Sequence, residues 1–318
     1  MRVALILLVQ ILANTVYCQM IDNTVVYRNM STDRGLRFHY ENDYFSKTDI
    51  YYTQGINLEL VHPSLKKFPL SRLLIQAPGQ ETKYGIGAEH LGFTPTSISS
   101  QTILREDRPF AGCLMFNLFS ATNDSIRKYR IASAITVGVI GPMAGASEFQ
   151  SAIHRWINDE EPLGWNNQIR NDLILNYQAD ISKGLINYKN IIMLAGKVRL
   201  RGGTFNTKLS GGLLMMTGLF SNPWKYFTNT NRNFQIYLYE EPLVSLVGHD
   251  ATLQGGIFNS SPYTISASEL QRVVFQNNAG LVIQIRKIYL EYFQSYLSKE
   301  FKTGGKHYWG GVRIGLQI

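Results

Sequence analysis

The sequence predicts an all-β protein: a transmembrane, antiparallel, up-and-down β-barrel of about twelve strands. Three observations lead there. The chain of 318 residues is rich in aromatics (18 Tyr, 16 Phe, 4 Trp) and in Gly, at 27 residues. Only 17% of it is charged, against roughly 25% in an ordinary soluble domain. That composition favours strands over helices. Next, apolar and polar residues alternate with period two along most of the length. Finally, after residue 20 no apolar run approaches the roughly 18 residues of a membrane helix. A barrel remains open, because its strands show lipid only every second side chain. The mean hydropathy of −0.10 fits that pattern.

The N-terminus is read first. Arg2 precedes an apolar stretch over residues 3–12 that only Gln10 interrupts, and Val16, Tyr17 and Cys18 follow. This is the pattern of a secretory signal peptide, expected over residues 1–18 and cut before Gln19. The bulky Tyr17 argues against a lipid anchor on Cys18. One cysteine, Cys113, then remains, so no internal disulfide can form. The formal charge is +8, falling by one without Arg2. For an exported protein this suggests an anionic surface or lipid rather than nucleic acid as partner.

No linker, charge block or repeat interrupts residues 19–318, which are read as a single barrel domain. Strands are expected to start near residues 35, 50, 82, 109, 128, 170, 190, 205, 233, 272, 288 and 306. That is an even number, as in single-chain bacterial barrels. Residues 128–140 set Tyr129, Ile131, Ile135, Val137 and Val139 against Lys128, Arg130 and Thr136. The first group should face lipid and the second the lumen. Lys197, Arg199 and Arg201 alternate with Val198 and Leu200 and should also face inward. The last strand runs to the terminal Ile318, where barrels commonly end on Phe.

Residues 141–170 break the alternation. Phe149, Ile153, Trp156 and Ile157 follow helical spacing, Ser147 can cap, and Pro162 and Gly164 terminate. A loop helix is expected near 147–158, with Ile153 and Trp156 packed on the barrel wall.

Standard hydrolase, zincin, nucleotide-loop and Cys-x-x-Cys motifs are absent from the sequence. Of six histidines, His154 stands out because it lies four residues after Gln150, on the same helix face. Its simplest reading is a partly exposed helix histidine. A second group, Glu41-Asn42-Asp43-Tyr44-Phe45 followed by Asp49 to Gly55, ends one strand and begins the next. A hairpin would bring Asn42, Asp43 and Thr53 together as oxygen donors for a hard cation, or simply as turn residues. In a third group, Arg108 precedes Pro109 and can fork a phosphate or pair with Asp107.

Taken in order, the segments ENDYF, YYTQGI, DRPFAG, QSAIHRW and GWNNQ resemble the outer-membrane lipid A 3′-O-deacylase family. The closing pieces SKEF and HYWGGVRIGLQI look like that family's end, so the resemblance covers residues 35–318. It implies a twelve-stranded barrel in the outer membrane of a Gram-negative bacterium, with a site between the wall and the loop helix. It also implies calcium-dependent removal of an ester-linked acyl chain from lipid A or lipopolysaccharide. By the resemblance, His154 would be the general base, with Asn42, Asp43 and Thr53 beside it as the catalytic cluster. Asp43 and Thr53 would hold Ca2+. Arg108 and Gln150 would bind or support the substrate. The family's characterised member has a Lys before the Arg, where this chain has Asp107.

The chemistry is coherent. An imidazole can take a proton from water near neutral pH, and a cation can stabilise an oxyanion, so no serine nucleophile is required. Two alternatives stay open on the sequence: an outer-membrane phospholipase, and a non-enzymatic barrel such as a pore or adhesin. A monomer is expected, with outer-membrane lipids around it and no nucleic acid.

Overall fold

A computed structural model describes residues 33–46, 50–77, 81–224 and 233–318. The expected signal peptide at 1–18 lies outside these residues. Twelve strands close into one antiparallel barrel: β1 (Gly35–Asn42), β2 (Tyr51–Val61), β3 (Glu81–Thr94), β4 (Ala111–Asp124), β5 (Tyr129–Ile140), β6 (Asp172–Tyr188), β7 (Ile192–Gly203), β8 (Asn206–Leu219), β9 (Phe234–Asp250), β10 (Val273–Ile285), β11 (Ile288–Leu297) and β12 (His307–Gln317). Each pairs with its sequence neighbours, and β1 closes on β12 with Asn42 opposite Gly310. Every expected strand start lies within two residues of the observed one.

The alternation sorts side chains as expected. On β5, Val137 is exposed on the outer wall and Thr136 is buried inside. The lumen is filled. Lys197 bonds Glu241 at 2.7 Å, Arg199 bonds Asp180 at 2.7 Å, and Arg201 donates to Gln178 at 2.7 Å. Arg313 pairs with Glu291, and His39 lies 2.6 Å from Glu41. Tyr52, Phe93, Phe293 and Trp309 pack in the upper interior. These paired charges satisfy one another in a space that water would otherwise occupy.

The strand joins differ between the two ends. Long joins at 95–110, 141–171 and 251–272 share one rim. Tight turns at 125–128, 189–191 and 286–287 share the other, where β1 starts and β12 ends and where the longer join from β2 to β3 also lies. Outer-membrane barrels keep short turns in the periplasm and long loops outside, which sets the orientation.

The loop helix α1 spans Ala146–Ile157, one residue from the expected bounds. Two details differ from expectation. Its N-cap is Gly145, with φ 72°, rather than Ser147. The C-terminal end of its apolar stripe also turns away from the wall: Trp156 is 85% exposed and Ile157 53%, while Ile153 is half-buried and Ala146, Gln150 and His154 are buried. The physical reason is the surroundings. At a membrane rim the outside is apolar, so the stripe can turn to lipid while the polar face meets the protein.

Candidate active site on the outer rim

The site begins with an irregularity in β2. The β2–β3 register shifts between Tyr52 and Gln54, which drops Thr53 out of the ladder. Such bulges re-aim a side chain at the edge of a sheet. Tyr51, just before it, has φ 72°, a conformation that non-glycine residues seldom adopt. Thr53 is 4% exposed, and its carbonyl accepts from Asn42 Nδ2 at 2.5 Å. Asn42 Oδ1 in turn accepts from the Tyr44 amide at 2.6 Å. Asp43 opens the short 3-10 turn Asp43–Ser46 and is 1% exposed. The hairpin therefore ties Asn42 to the Thr53 backbone, with Asp43 buried at the next position along the chain.

The helix meets this cluster through Gln150. Its Nε2 donates to Thr53 Oγ1 at 3.1 Å, across 97 residues of chain. Gln150 Oε1 accepts from Trp165 Nε1 at 2.7 Å, so both ends of the amide are fixed. His154 follows one turn later on the same buried face and is 7% exposed. Its Nδ1 lies 2.6 Å from the Glu160 carbonyl oxygen. A carbonyl can only accept, so Nδ1 carries a proton, and in the neutral tautomer the lone pair falls on Nε2.

The surrounding motifs seat the helix. Gly112 leaves room for it: a Cβ there would lie 2.6 Å from the Ala146 Cβ. Phe110 stacks on Trp165 with ring centroids 5.0 Å apart, and the two pack with Ile98 and Ala146. His90, on the outer face of β3, reaches the Ala144 carbonyl at 3.0 Å, and its ring lies 5.5 Å from Phe149. Sequence reading missed His90, because nothing near it in the chain names its partner.

Arg108 is placed differently from expectation. Its side chain does not pair with Asp107. Its guanidinium bonds Glu300 and Thr252, the latter at 2.6 Å, and lies 4.5 Å from the centre of the Phe93 ring. Phe93 points into the barrel, so Arg108 closes the barrel mouth and is 1% exposed. Burial pushes the Glu300 carboxyl above its ordinary range, and the Arg108 charge opposes that rise. Asp107 instead accepts from Thr96 Oγ1 at 2.6 Å and from the Arg108 amide at 2.7 Å. A phosphate fork at Arg108 would have to break the bonds to Glu300 and Thr252.

The oxygen donors suit a hard cation by type: the Asp43 carboxylate, the Thr53 hydroxyl and the amide and main-chain carbonyls beside them. Among the described residues, no group of three His, Cys, Asp or Glu side chains gathers. The site therefore offers one carboxylate, and neutral oxygens would supply the rest.

A sequence profile described as "Outer membrane protein LpxR" matches residues 3–318. The chain belongs to the LpxR family of outer-membrane proteins. The structure of LpxR from Salmonella typhimurium aligns with 89% of this chain and 100% of its own, at a TM-score of 0.73 and 18% identity. That likeness is one of fold, a closed twelve-stranded barrel. The β domain of the Bordetella autotransporter BrkA aligns at a TM-score of 0.45 and 9% identity, over 90% of this chain and 99% of that one. A search of curated proteins found no match. Within the LpxR family, the ordered segments now have locations. ENDYF and YYTQGI lie in the rim hairpin, QSAIHRW carries the buried Gln150 and His154 of α1, and DRPFAG and GWNNQ hold that helix down.

Proposed function

We propose that this protein removes an ester-linked acyl chain from lipid A or lipopolysaccharide at the outer face of the outer membrane. One observation carries the reading: the Gln150–Thr53 hydrogen bond, which joins the His154 face of the loop helix to the Asn42/Asp43/Thr53 cluster. In this reading, His154 Nε2 takes a proton from the attacking water, while the Glu160 carbonyl holds Nδ1–H and fixes the ring. Asn42 ties its own turn to the Thr53 backbone and keeps the two strand ends in register. Gln150 positions the Thr53 hydroxyl rather than gripping substrate. Asp43 and Thr53 would hold Ca2+, which when bound polarises the ester carbonyl and stabilises the oxyanion. Arg108 shapes the barrel mouth behind the site.

The location suits an amphiphilic substrate. Asn42 and α1 lie on the outer wall, so an acyl ester can reach them with its chain still in lipid. The paired charges that fill the lumen favour this reading over a pore. We read residues 1–18 as a cleaved signal and residues 19–318 as one domain acting as a monomer.

The test is mass spectrometry of lipid A from cells expressing the wild type or His154→Ala. Lipid A should lose one acyl chain only with the wild type. Chelation should stop the reaction in isolated membranes, and added calcium should restore it. Unchanged lipid A together with lysophospholipid would replace this reading with a phospholipase.

A further inference from the structure

We propose that residues 62–77, with the β4–β5 turn, form a binding surface for anionic phospholipid in the periplasmic leaflet. This segment joins β2 to β3 at the short-turn rim and carries two 3-10 turns, Pro63–Lys67 and Pro69–Leu73. It does not hang into the periplasm. It crosses the outside of the barrel over β3 to β6. The Ile75 amide donates to Ser133 Oγ at 2.8 Å, and Ser120 Oγ donates to the Ile75 carbonyl at 3.3 Å. Tyr84 donates to Gln76 at 2.8 Å, and Tyr177 donates to the Leu73 carbonyl at 2.8 Å. Leu74 packs with Tyr84 and Leu118.

All of these partners are outward positions, on the same face as residues four along, such as Phe116 on β4 and Ile181 on β6, that are open to lipid. Ser120 and Ser133 are fully covered. They lie about four residues from the periplasmic strand ends, or roughly 10 Å up a tilted strand. The segment is therefore set into the inner leaflet, held there by hydroxyls that would otherwise face hydrocarbon.

Its free face is apolar: Leu73 is 61% exposed, Phe68 49%, Leu70 45% and Ile75 43%. Beside these side chains stand Lys66, Lys67 and Arg72, all exposed, and the sequence from 62 to 77 contains no acidic residue. The turn joining β4 to β5 adds exposed Arg127 and Lys128. Apolar side chains at acyl depth, with cations that can extend to the phosphate level, match one ligand chemistry: a phospholipid with a net negative headgroup.

The test uses the full-length protein in neutral detergent, titrated with phosphatidylglycerol or phosphatidylcholine and read by native mass spectrometry. Wild type should retain phosphatidylglycerol in preference to phosphatidylcholine, and inorganic phosphate should not compete. Lys66→Gln/Lys67→Gln/Arg72→Gln should reduce that preference on the order of a hundredfold, at about fivefold per charge. Phe68→Ser/Leu73→Ser should weaken both lipids alike. Unheated gel mobility reports whether each variant has formed its barrel. If the triple variant does not assemble, salt decides on the wild type, where the preference must fall steeply as ionic strength rises. Equal retention of the two lipids, an unchanged triple variant, or competition by free phosphate overturns the proposal.

Discussion

Two amphipathic segments lean on the outside of this barrel, one at each rim. Helix α1 sits at the extracellular rim and residues 62–77 at the periplasmic one. Both turn hydrogen-bonding groups to the wall and apolar side chains away from it, the reverse of a helix on a soluble protein. They differ in what lies underneath. Beneath residues 62–77 are serine and tyrosine hydroxyls that bond backbone and amide groups and do nothing further. The buried face of α1 carries an imidazole held at Nδ1, and the hairpin it bonds to holds a buried carboxylate and a threonine turned out of its ladder. Inverted amphipathicity alone therefore marks the membrane. A site is marked by reactive groups held in place at one atom and open at another.

The largest expected effect tests that contrast directly. His154→Ala should reduce lipid A deacylation in isolated membranes by about 10²–10⁴-fold, the usual contribution of a general base. Gel mobility of the unheated barrel should not change. Ser120→Ala with Ser133→Ala, the matching truncation beneath the other segment, should leave deacylation intact. Equal losses in the two variants would mean that the two rims do not divide as described.

The next effect is on stability. Arg108→Leu leaves the buried Glu300 without its cation and should destabilise the extracellular mouth by about 3–5 kcal/mol. Urea unfolding in lipid vesicles measures this. The deacylation rate per folded molecule should stay near wild type, because the guanidinium lies inside the mouth and α1 outside it. A large rise in KM without loss of stability would instead return Arg108 to the substrate.

Gln150→Leu should act more mildly and on both properties. It strips the Trp165 ring N–H and the Thr53 hydroxyl of their shared partner, at about 1–3 kcal/mol for groups left buried. Activity should fall roughly tenfold, in kcat rather than KM, since Thr53 is misplaced while the lipid surface is unaltered. Thermal unfolding followed alongside steady-state rates separates the two.

Much of this was legible in the sequence. Strand starts and the helix bounds follow from period, which is a backbone property and holds in any solvent. The Asn42/Asp43/Thr53 cluster follows from the hairpin that joins its two strands. What could not be read depends on surroundings. Hydropathy assumes water outside, so it turned the Trp156 stripe toward the protein. Arg108 finds Glu300 and Thr252 far along the chain, through a closure that no local spacing encodes. Residues 62–77 carry prolines at 63 and 69 and no alternation, so nothing in them announces that they fold back over the wall.

The smallest expected effect on stability gives the sharpest view of α1. Trp156 is 85% exposed, whereas Trp165, Trp224 and Trp309 are each at most 3% exposed. Trp156→Phe should shift stability by no more than about 0.5 kcal/mol, because the indole packs on nothing in the protein. Its environment can still be read. In vesicles of brominated lipid, the wild-type emission should be quenched through this one side chain, and Trp156→Phe should remove most of that quenching. If the apolar stripe faced water, bromine depth would make no difference and the two proteins would behave alike. The inverted helix would then have no lipid to account for it, and the contrast between the two rims would rest on the periplasmic segment alone.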